Sequence, residues 1–311
     1  MSRIHEALKK AEQERATGRG GAPPPATFTA APVADPPVFP ETPAAPLPEE
    51  LGMPASAPSF AGSYSLEALL ARCPKTEWKP DAATMLFMNG DDHARGTEEY
   101  RTLRSRLYHM RERMTLKTIL VTSALPKEGK SFTSSNLAQV LVRQHGRRVL
   151  LIDADLRGPR LHLMLGTPPG PGLSEYLQGR NDEFSIMQRG PLENLFFIPS
   201  GTGIEDPAEM VSNGRLKMLL QRVEPLFDWI IVDSPPAVPV SDASVLAKAC
   251  DGVLMVVRSN ATPSDVARRA RQEFPDDRLV GVVLNGTSDE AAPYARYYYE
   301  AYDKKAIAAK E

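Results

Sequence analysis

The sequence predicts an α/β fold: a doubly wound, mainly parallel sheet with helices on both faces, preceded by a disordered Pro/Ala-rich linker. Three observations lead there. From Lys117 onward, short apolar runs alternate with helical segments. The runs are rich in Val, Ile and Leu without alternation, as strands covered on both faces are. A Gly-Lys-Ser turn and several aspartates follow these runs, at the carboxyl edge where such sheets bind ligands.

The elements follow in order. Ile4, Ala7, Leu8 and Ala11 fall at i, i+3, i+4 and i+7, which predicts an amphipathic helix over residues 1–16 with Ser2 as N-cap. A helix this short is marginal alone. It is either a frayed terminus or a docking element, and docking is favoured because its apolar stripe has no other core to join. Residues 17–60 read as linker: positions 23–58 hold 12 of the 29 prolines, which stop both helix and ladder. Residues 61–96 form a segment ahead of the main domain, with a helical Leu66–Leu70 and breaks at Pro74 and Pro80. The domain itself is placed at 97–290. It opens with a helix from Thr97 to Arg113, whose stripe is Tyr100, Leu103, Leu107 and Met110. Strands are expected at Thr118–Thr122, Val149–Asp153, Leu195–Pro199, Trp229–Asp233, Val253–Val257 and Val280–Leu284. Residues 291–311 form a tail.

Composition narrows the function classes. No apolar run in the 311 residues approaches the length needed to span a bilayer, and the first residues lack the apolar stretch of a secretion signal. Two cysteines make no disulfide framework and fit a reducing cytosol. A net charge of -2 argues against a general nucleic-acid binder.

The chemistry sits after three strands. Ala124-Leu125-Pro126-Lys127-Glu128-Gly129-Lys130-Ser131 has phosphate-loop spacing, with Ala124 in place of the first glycine. The loop from Pro126 to Phe132 would surround the phosphates with the backbone N–H groups of Lys127, Glu128, Gly129, Lys130, Ser131 and Phe132, Lys130 would reach the β and γ groups, and Ser131 would ligate Mg²⁺. Asp153 and Asp155 end a second strand and Asp233 a third. With Ser131 they make a hard-oxygen site suited to Mg²⁺ bound together with a nucleotide.

The order of this loop, Leu151-Ile152-Asp153-Ala154-Asp155-Leu156-Arg157 and Ile230-Ile231-Val232-Asp233-Ser234-Pro235-Pro236 resembles the bacterial tyrosine kinases of exopolysaccharide loci, relatives of the MinD/ParA ATPases. The start, Met1 to Ala11, looks like that of their exosortase-linked subgroup. Two departures stand out. Leu125 occupies the place of the signature lysine of MinD/ParA ATPases, which favours the kinase branch. Lys127 replaces a glycine often found in the kinases; its ammonium either pairs with a phosphate or faces solvent.

The resemblance implies an ATP- and Mg²⁺-dependent tyrosine autokinase controlling exopolysaccharide synthesis or export. It implies Asp153 as general base, Asp155 and Asp233 as metal holders, and Asn285 as an adenine contact, although a plain turn role is open for Asn285. Tyr294, Tyr297, Tyr298, Tyr299 and Tyr302 are five of the nine tyrosines, and the resemblance marks them as phosphorylated. An aromatic stripe of Tyr294, Tyr298 and Tyr302 docked as a helix face is the other reading. Glu98, Arg101 and Arg104 match a pattern that joins protomers into a ring; an ordinary solvated helix has the same spacing. Expected partners are further copies of the chain, a separate membrane-embedded polysaccharide co-polymerase that activates it, and a tyrosine phosphatase. The expected location is cytoplasmic, at the inner membrane face through that partner. Two other functions compete: a MinD/ParA-like ATPase switch without kinase activity, and a nucleotide-binding adaptor without catalysis.

Overall fold

Runs of Val, Ile and Leu that offer apolar side chains to both sides become strands only if both sides are covered. The computed structural model shows how this is met; it describes residues 65–88 and 96–287. The terminal helix, linker and tyrosine tail expected at 1–16, 17–60 and 291–311 lie outside those residues.

The order of elements is α1 (Leu66–Arg72), α2 (Thr97–Arg111), β1 (Thr118–Ser123), α3 (Lys130–Val142), β2 (Val149–Asp153), α4 (Leu161–Leu165), α5 (Leu173–Leu177), β3 (Gln188–Arg189), β4 (Leu195–Ile198), α6 (Pro207–Ser212), α7 (Arg215–Val223), β5 (Trp229–Asp233), α8 (Asp242–Ala247), β6 (Gly252–Arg258), α9 (Ser264–Gln272) and β7 (Leu279–Asn285). Among the described residues they build a seven-stranded sheet in the order β3-β4-β2-β5-β1-β6-β7. All pairs are parallel except β3–β4. The fold is the doubly wound α/β architecture that the sequence predicts.

Alternate residues of each strand serve opposite layers. Ile119, Val121, Val149, Leu151 and Ile231 pack with Leu137 and Leu141 of α3 and Leu107 of α2. Leu120, Leu150, Ile152, Ile230 and Val232 pack with Leu173, Leu216, Leu219 and Leu246 from α5, α7 and α8. Each such side chain contributes about 1.5–3 kcal/mol when taken from water. Helix α2 is anchored at its far end: the Trp229 Nε1–H donates to Tyr108 at 3.0 Å, and the Arg111 guanidinium lies 4.8 Å over the Trp229 ring.

The edge strand β7 departs from the expectation of two covered faces. Among the described residues, Val282 and Leu284 are 53% and 58% exposed, so no layer covers that face of the strand. Residues 65–88, read as a segment ahead of the domain, contribute Leu69, Trp78, Met85 and Phe87 to its core. Asn136 of α3 holds this segment by accepting from Leu86 N–H and donating to the Thr84 carbonyl, both at 2.9 Å. Cys73 and Cys250 are buried and unpaired, and burial pushes both thiols up, Cys73 to about 12. Among the described residues, no helix is long and apolar enough to cross a membrane.

One buried carboxylate ties two loops beside the sheet. Glu175 accepts from Gly172 N–H (2.8 Å), the Ser174 hydroxyl (3.0 Å), Thr202 N–H (2.9 Å) and Gly203 N–H (3.2 Å). Gly201 closes the fit: at φ +92, a Cβ there would lie 2.0 Å from Ser174 Oγ. Burial alone would raise this carboxyl, but the N–H donors outweigh it and hold it at about 2. The depressed value means that Glu175 stabilises the fold at pH above its unfolded value and loses that contribution as pH falls through about 2. Glu175→Gln is therefore expected to lower stability at pH 7 by about 1–3 kcal/mol. Denaturant titrations should show the gap between wild type and variant closing as pH drops from 4.5 to about 2.

Candidate functional site

Strand order brings the motifs together. β5 lies between β1 and β2, with Asp153 in register with Asp233 and Val121 with Asp233. The loop after β1, Asp153 and Asp155 after β2, and Asp233 at the end of β5 therefore share one sheet edge.

A loop that binds an anion must turn its oxygens away from it. Here five of the six carbonyls from Ala124 to Gly129 have a donor behind them. Ala124 C=O accepts from Val238 N–H at 3.3 Å, and Leu125 C=O from the Ser123 hydroxyl at 2.7 Å. Lys127 C=O accepts from the Arg258 guanidinium at 3.2 Å, and Glu128 C=O from the Asn285 amide at 2.9 Å. Gly129 C=O starts the helix, accepting from Thr133 N–H at 2.8 Å. Gly129 itself sits at φ +96, and a Cβ there would fall 2.0 Å from Asn285 Nδ2. Lys127 also holds a left-handed backbone, φ 66, at a strain of about 1–2 kcal/mol for a residue with a side chain.

The Glu128 carboxylate is turned out of the loop's concave side. It accepts from Leu125 N–H at 2.7 Å and from the Thr262 hydroxyl, stapling the loop to the β6–α9 connection. What Glu128 can offer a phosphate is its N–H. Phe132 packs against Tyr100 of α2 with ring centroids 6.2 Å apart.

Beside the loop lies a buried charge cluster. The Lys130 ammonium donates to Asp155 at 2.6 Å and lies 3.8 Å from Asp233. Burial opposes its charge, yet Asp233 and Asp155 more than offset this, so its pKa is raised. The Ser131 hydroxyl donates to Asp233 Oδ2 at 2.6 Å and the Ser134 hydroxyl to Oδ1 at 2.9 Å. Asp153 is fully buried; it accepts from Asp155 N–H (3.3 Å), Arg160 N–H (3.2 Å) and Leu161 N–H (3.1 Å). Burial, reinforced by the Asp233 charge, pushes Asp153 above the usual carboxylate range, and burial does the same to Asp233 against the pull of Lys130.

This arrangement suits a nucleoside triphosphate with Mg²⁺. The loop presents N–H groups with its oxygens withdrawn, and Ser131, Asp155 and Asp233 offer hard oxygen. Among the described residues no group of three or more His, Cys, Asp or Glu side chains makes a self-sufficient metal site.

The structure thus brings together Lys130, Ser131, Asp153, Asp155 and Asp233 as the sequence reading placed them. Asn285 stands beneath the loop, with its amide on Glu128. On α2, Glu98 and Arg101 pair along the helix, and Arg104 donates to the Val140 carbonyl of α3 at 3.1 Å. The tyrosine cluster lies outside the described residues. Ser134, Arg258 and Thr262 escaped the sequence reading. Ser134 had a signal, standing one turn beyond Ser131 on the same helix. Arg157 also gains a role, gripping Asp242 through Nε at 2.8 Å and a terminal nitrogen at 3.1 Å, which ties the loop after β2 to α8.

Residues 117–264 match the family described as an AAA domain. The chain is 34% identical over 192 residues to the tyrosine-protein kinase YwqD of Bacillus subtilis, covering 61% of this chain and 81% of that protein. It is 32% identical over 196 residues to the tyrosine-protein kinase CpsD of Streptococcus agalactiae, covering 61% and 84%. Among solved structures, it is similar to the kinase domain of the Escherichia coli tyrosine kinase ETK, with a TM-score of 0.59 and 32% identity over 65% of this chain and 80% of that one.

The bond from Asn285 to the loop can be tested alone. Asn285→Leu keeps the volume and leaves the Glu128 carbonyl without its donor, so the loop loses its brace. Calorimetric titration with Mg·ATP is expected to show affinity falling by about tenfold, the equivalent of one lost hydrogen bond to a positioned group.

Proposed function

The chain belongs to the bacterial tyrosine-protein kinases, and from this premise we propose that it phosphorylates the C-terminal tyrosines of neighbouring copies of itself, in control of exopolysaccharide synthesis or export. The observation that carries the reading is the buried cluster of Lys130, Ser131, Asp155 and Asp233 against a loop whose carbonyls at 124, 125, 127, 128 and 129 are engaged from behind. ATP would supply the phosphoryl group, and Mg²⁺ the charge that neutralises it.

The residues divide the work by chemistry. Loop N–H groups and Lys130 bind and orient phosphate oxygens, with Lys130 exchanging a carboxylate partner for a phosphate. Ser131, Asp155 and Asp233 hold the metal, directly or through water. A phenol with pKa near 10 is a poor nucleophile at neutral pH. Asp153 accepts its proton, a role helped by burial that makes this carboxylate more basic than usual. Positioning and charge account for most of the acceleration in such transfers.

Glu98, Arg101 and Arg104 are proposed to join protomers in a ring, so that the tail carrying Tyr294, Tyr297, Tyr298, Tyr299 and Tyr302 enters a neighbour's site. The helix expected at 1–16 is proposed to hold a membrane-embedded activator that places the kinase at the cytoplasmic face. A phosphatase would reset the cycle. Each added phosphate brings about -1.5 to -2 charges, which repel the aspartate edge and release the tail.

Two outcomes test this. Lys130→Met is expected to remain folded and to lose phosphotyrosine by about 100-fold or more. Mixed with tail-deleted protein that retains Lys130, the Lys130→Met chain should regain phosphotyrosine, read by mass spectrometry. No phosphotyrosine on wild type incubated with Mg·ATP would leave a switch ATPase; none on the mixed variant would place the transfer within one chain. Asp153→Asn should abolish transfer while Mg·ATP binding stays within about threefold, since a general base acts in the chemical step.

A further inference from the structure

Among the described residues, two other than glycine have a left-handed backbone: Lys127 and Asn260. Asparagine tolerates that region and lysine does not. At Lys127 the conformation is imposed by the surroundings. Its carbonyl is drawn to the Arg258 guanidinium at 3.2 Å, while Glu128 next to it folds back onto Leu125 N–H at 2.7 Å. A glycine would make this turn without strain. Lysine gives no packing in exchange, since the residue is exposed.

What the lysine adds is charge, and it adds it where charge is short. Lys130 is shared between Asp155 and Asp233, and Asp153 is a third acid in the cluster. Arg157 is committed to Asp242. A triphosphate, itself a polyanion, approaches an edge with three carboxylates and a single buried ammonium. The loop's left-handed turn carries a second ammonium on a flexible stem, which needs no fork geometry to meet a phosphate oxygen.

We propose that Lys127 is a phosphate-binding residue of this kinase, its ammonium pairing with the triphosphate of the bound nucleotide. The role is distinct from that of the loop's backbone and rests on the reading that this loop binds Mg·ATP. The strained turn is kept because only a side chain can deliver the charge.

The test is binding of a fluorescent ATP analogue with Mg²⁺ to the full chain, together with thermal unfolding. Lys127→Gly should raise Kd by about 5- to 10-fold, the range of one exposed charge-assisted contact, while Tm stays level or rises as the strain is relieved. Lys127→Arg keeps the charge and should bind within about twofold of wild type. The affinity of wild type should also fall more steeply with added salt than that of Lys127→Gly. Unchanged Kd in Lys127→Gly overturns the proposal alone, and so does equal weakening in the Gly and Arg variants, which would point to loop shape instead of charge. Wild type that binds no Mg·ATP overturns the reading of the site as well.

Discussion

A polypeptide loop can enclose a polyanion only if something holds its own oxygens back. In this chain Ser123 and Thr133 hold two of them locally, and the other three holders come from elsewhere in sequence: Val238, Arg258 and Asn285 lie more than a hundred residues beyond the loop. The site is therefore no property of a motif alone. It depends on β1 being flanked by β5 on one side and β6 on the other, with β7 next beyond. That order sets the carboxylates of β2 and β5 on one flank of the loop and its braces from β6 and β7 on the other. Asn285 and Gly129 are matched for the same reason, because any side chain at 129 would collide with the amide.

The residues legible in the sequence are those whose role is local. Val149–Asp153 and Trp229–Asp233 announce themselves by unbroken apolar runs ending in acid, and both strands have those same bounds. Lys130 and Ser131 follow from spacing within eight residues. Bonds across the fold leave no such trace. Glu128 looks like another loop residue until Thr262 and Leu125 are seen to claim its carboxylate. Residues 65–88 pack through Trp78, Met85 and Phe87, whose spacing fits neither a helical nor a strand period, so no pattern could place them in the core. β3 is two residues long, too short to carry any pattern. The exposed face of β7 shows the converse: Val282 and Leu284 read as core because composition does not reveal which strand face a layer covers.

The charge cluster also explains why the site is built from buried groups. Water around Asp153 would lower its basicity, and water around Lys130 would weaken its pull on phosphate. Burial works against both charges, and the cluster survives because each acid has donors: Lys130, Ser131 and Ser134 for Asp155 and Asp233, and three N–H groups for Asp153. Removing a single donor leaves a buried carboxylate short of partners, which is why Ser134 belongs to the site although it need touch no substrate.

Helix α2 rests on α3, the helix that the phosphate loop opens. Tyr100 packs at a tilt against Phe132, two residues after Lys130, and Arg104 reaches the Val140 carbonyl. All three residues proposed to join protomers thus already have partners within the chain: Glu98 and Arg101 with each other, and Arg104 with α3. Forming a ring through them exchanges one set of hydrogen bonds for another. Exchanges of this kind between solvated ions are worth about 0–1 kcal/mol per pair. An assembly held by such terms is weak at each interface and gains its order from closure, when every protomer has both neighbours. The proposed ring would then come apart under a modest added repulsion, such as the phosphates proposed for the tail. In the proposed ring, a neighbour seated on α2 would rest against the helix that presents Lys130 and Ser131, because Tyr100 packs on Phe132.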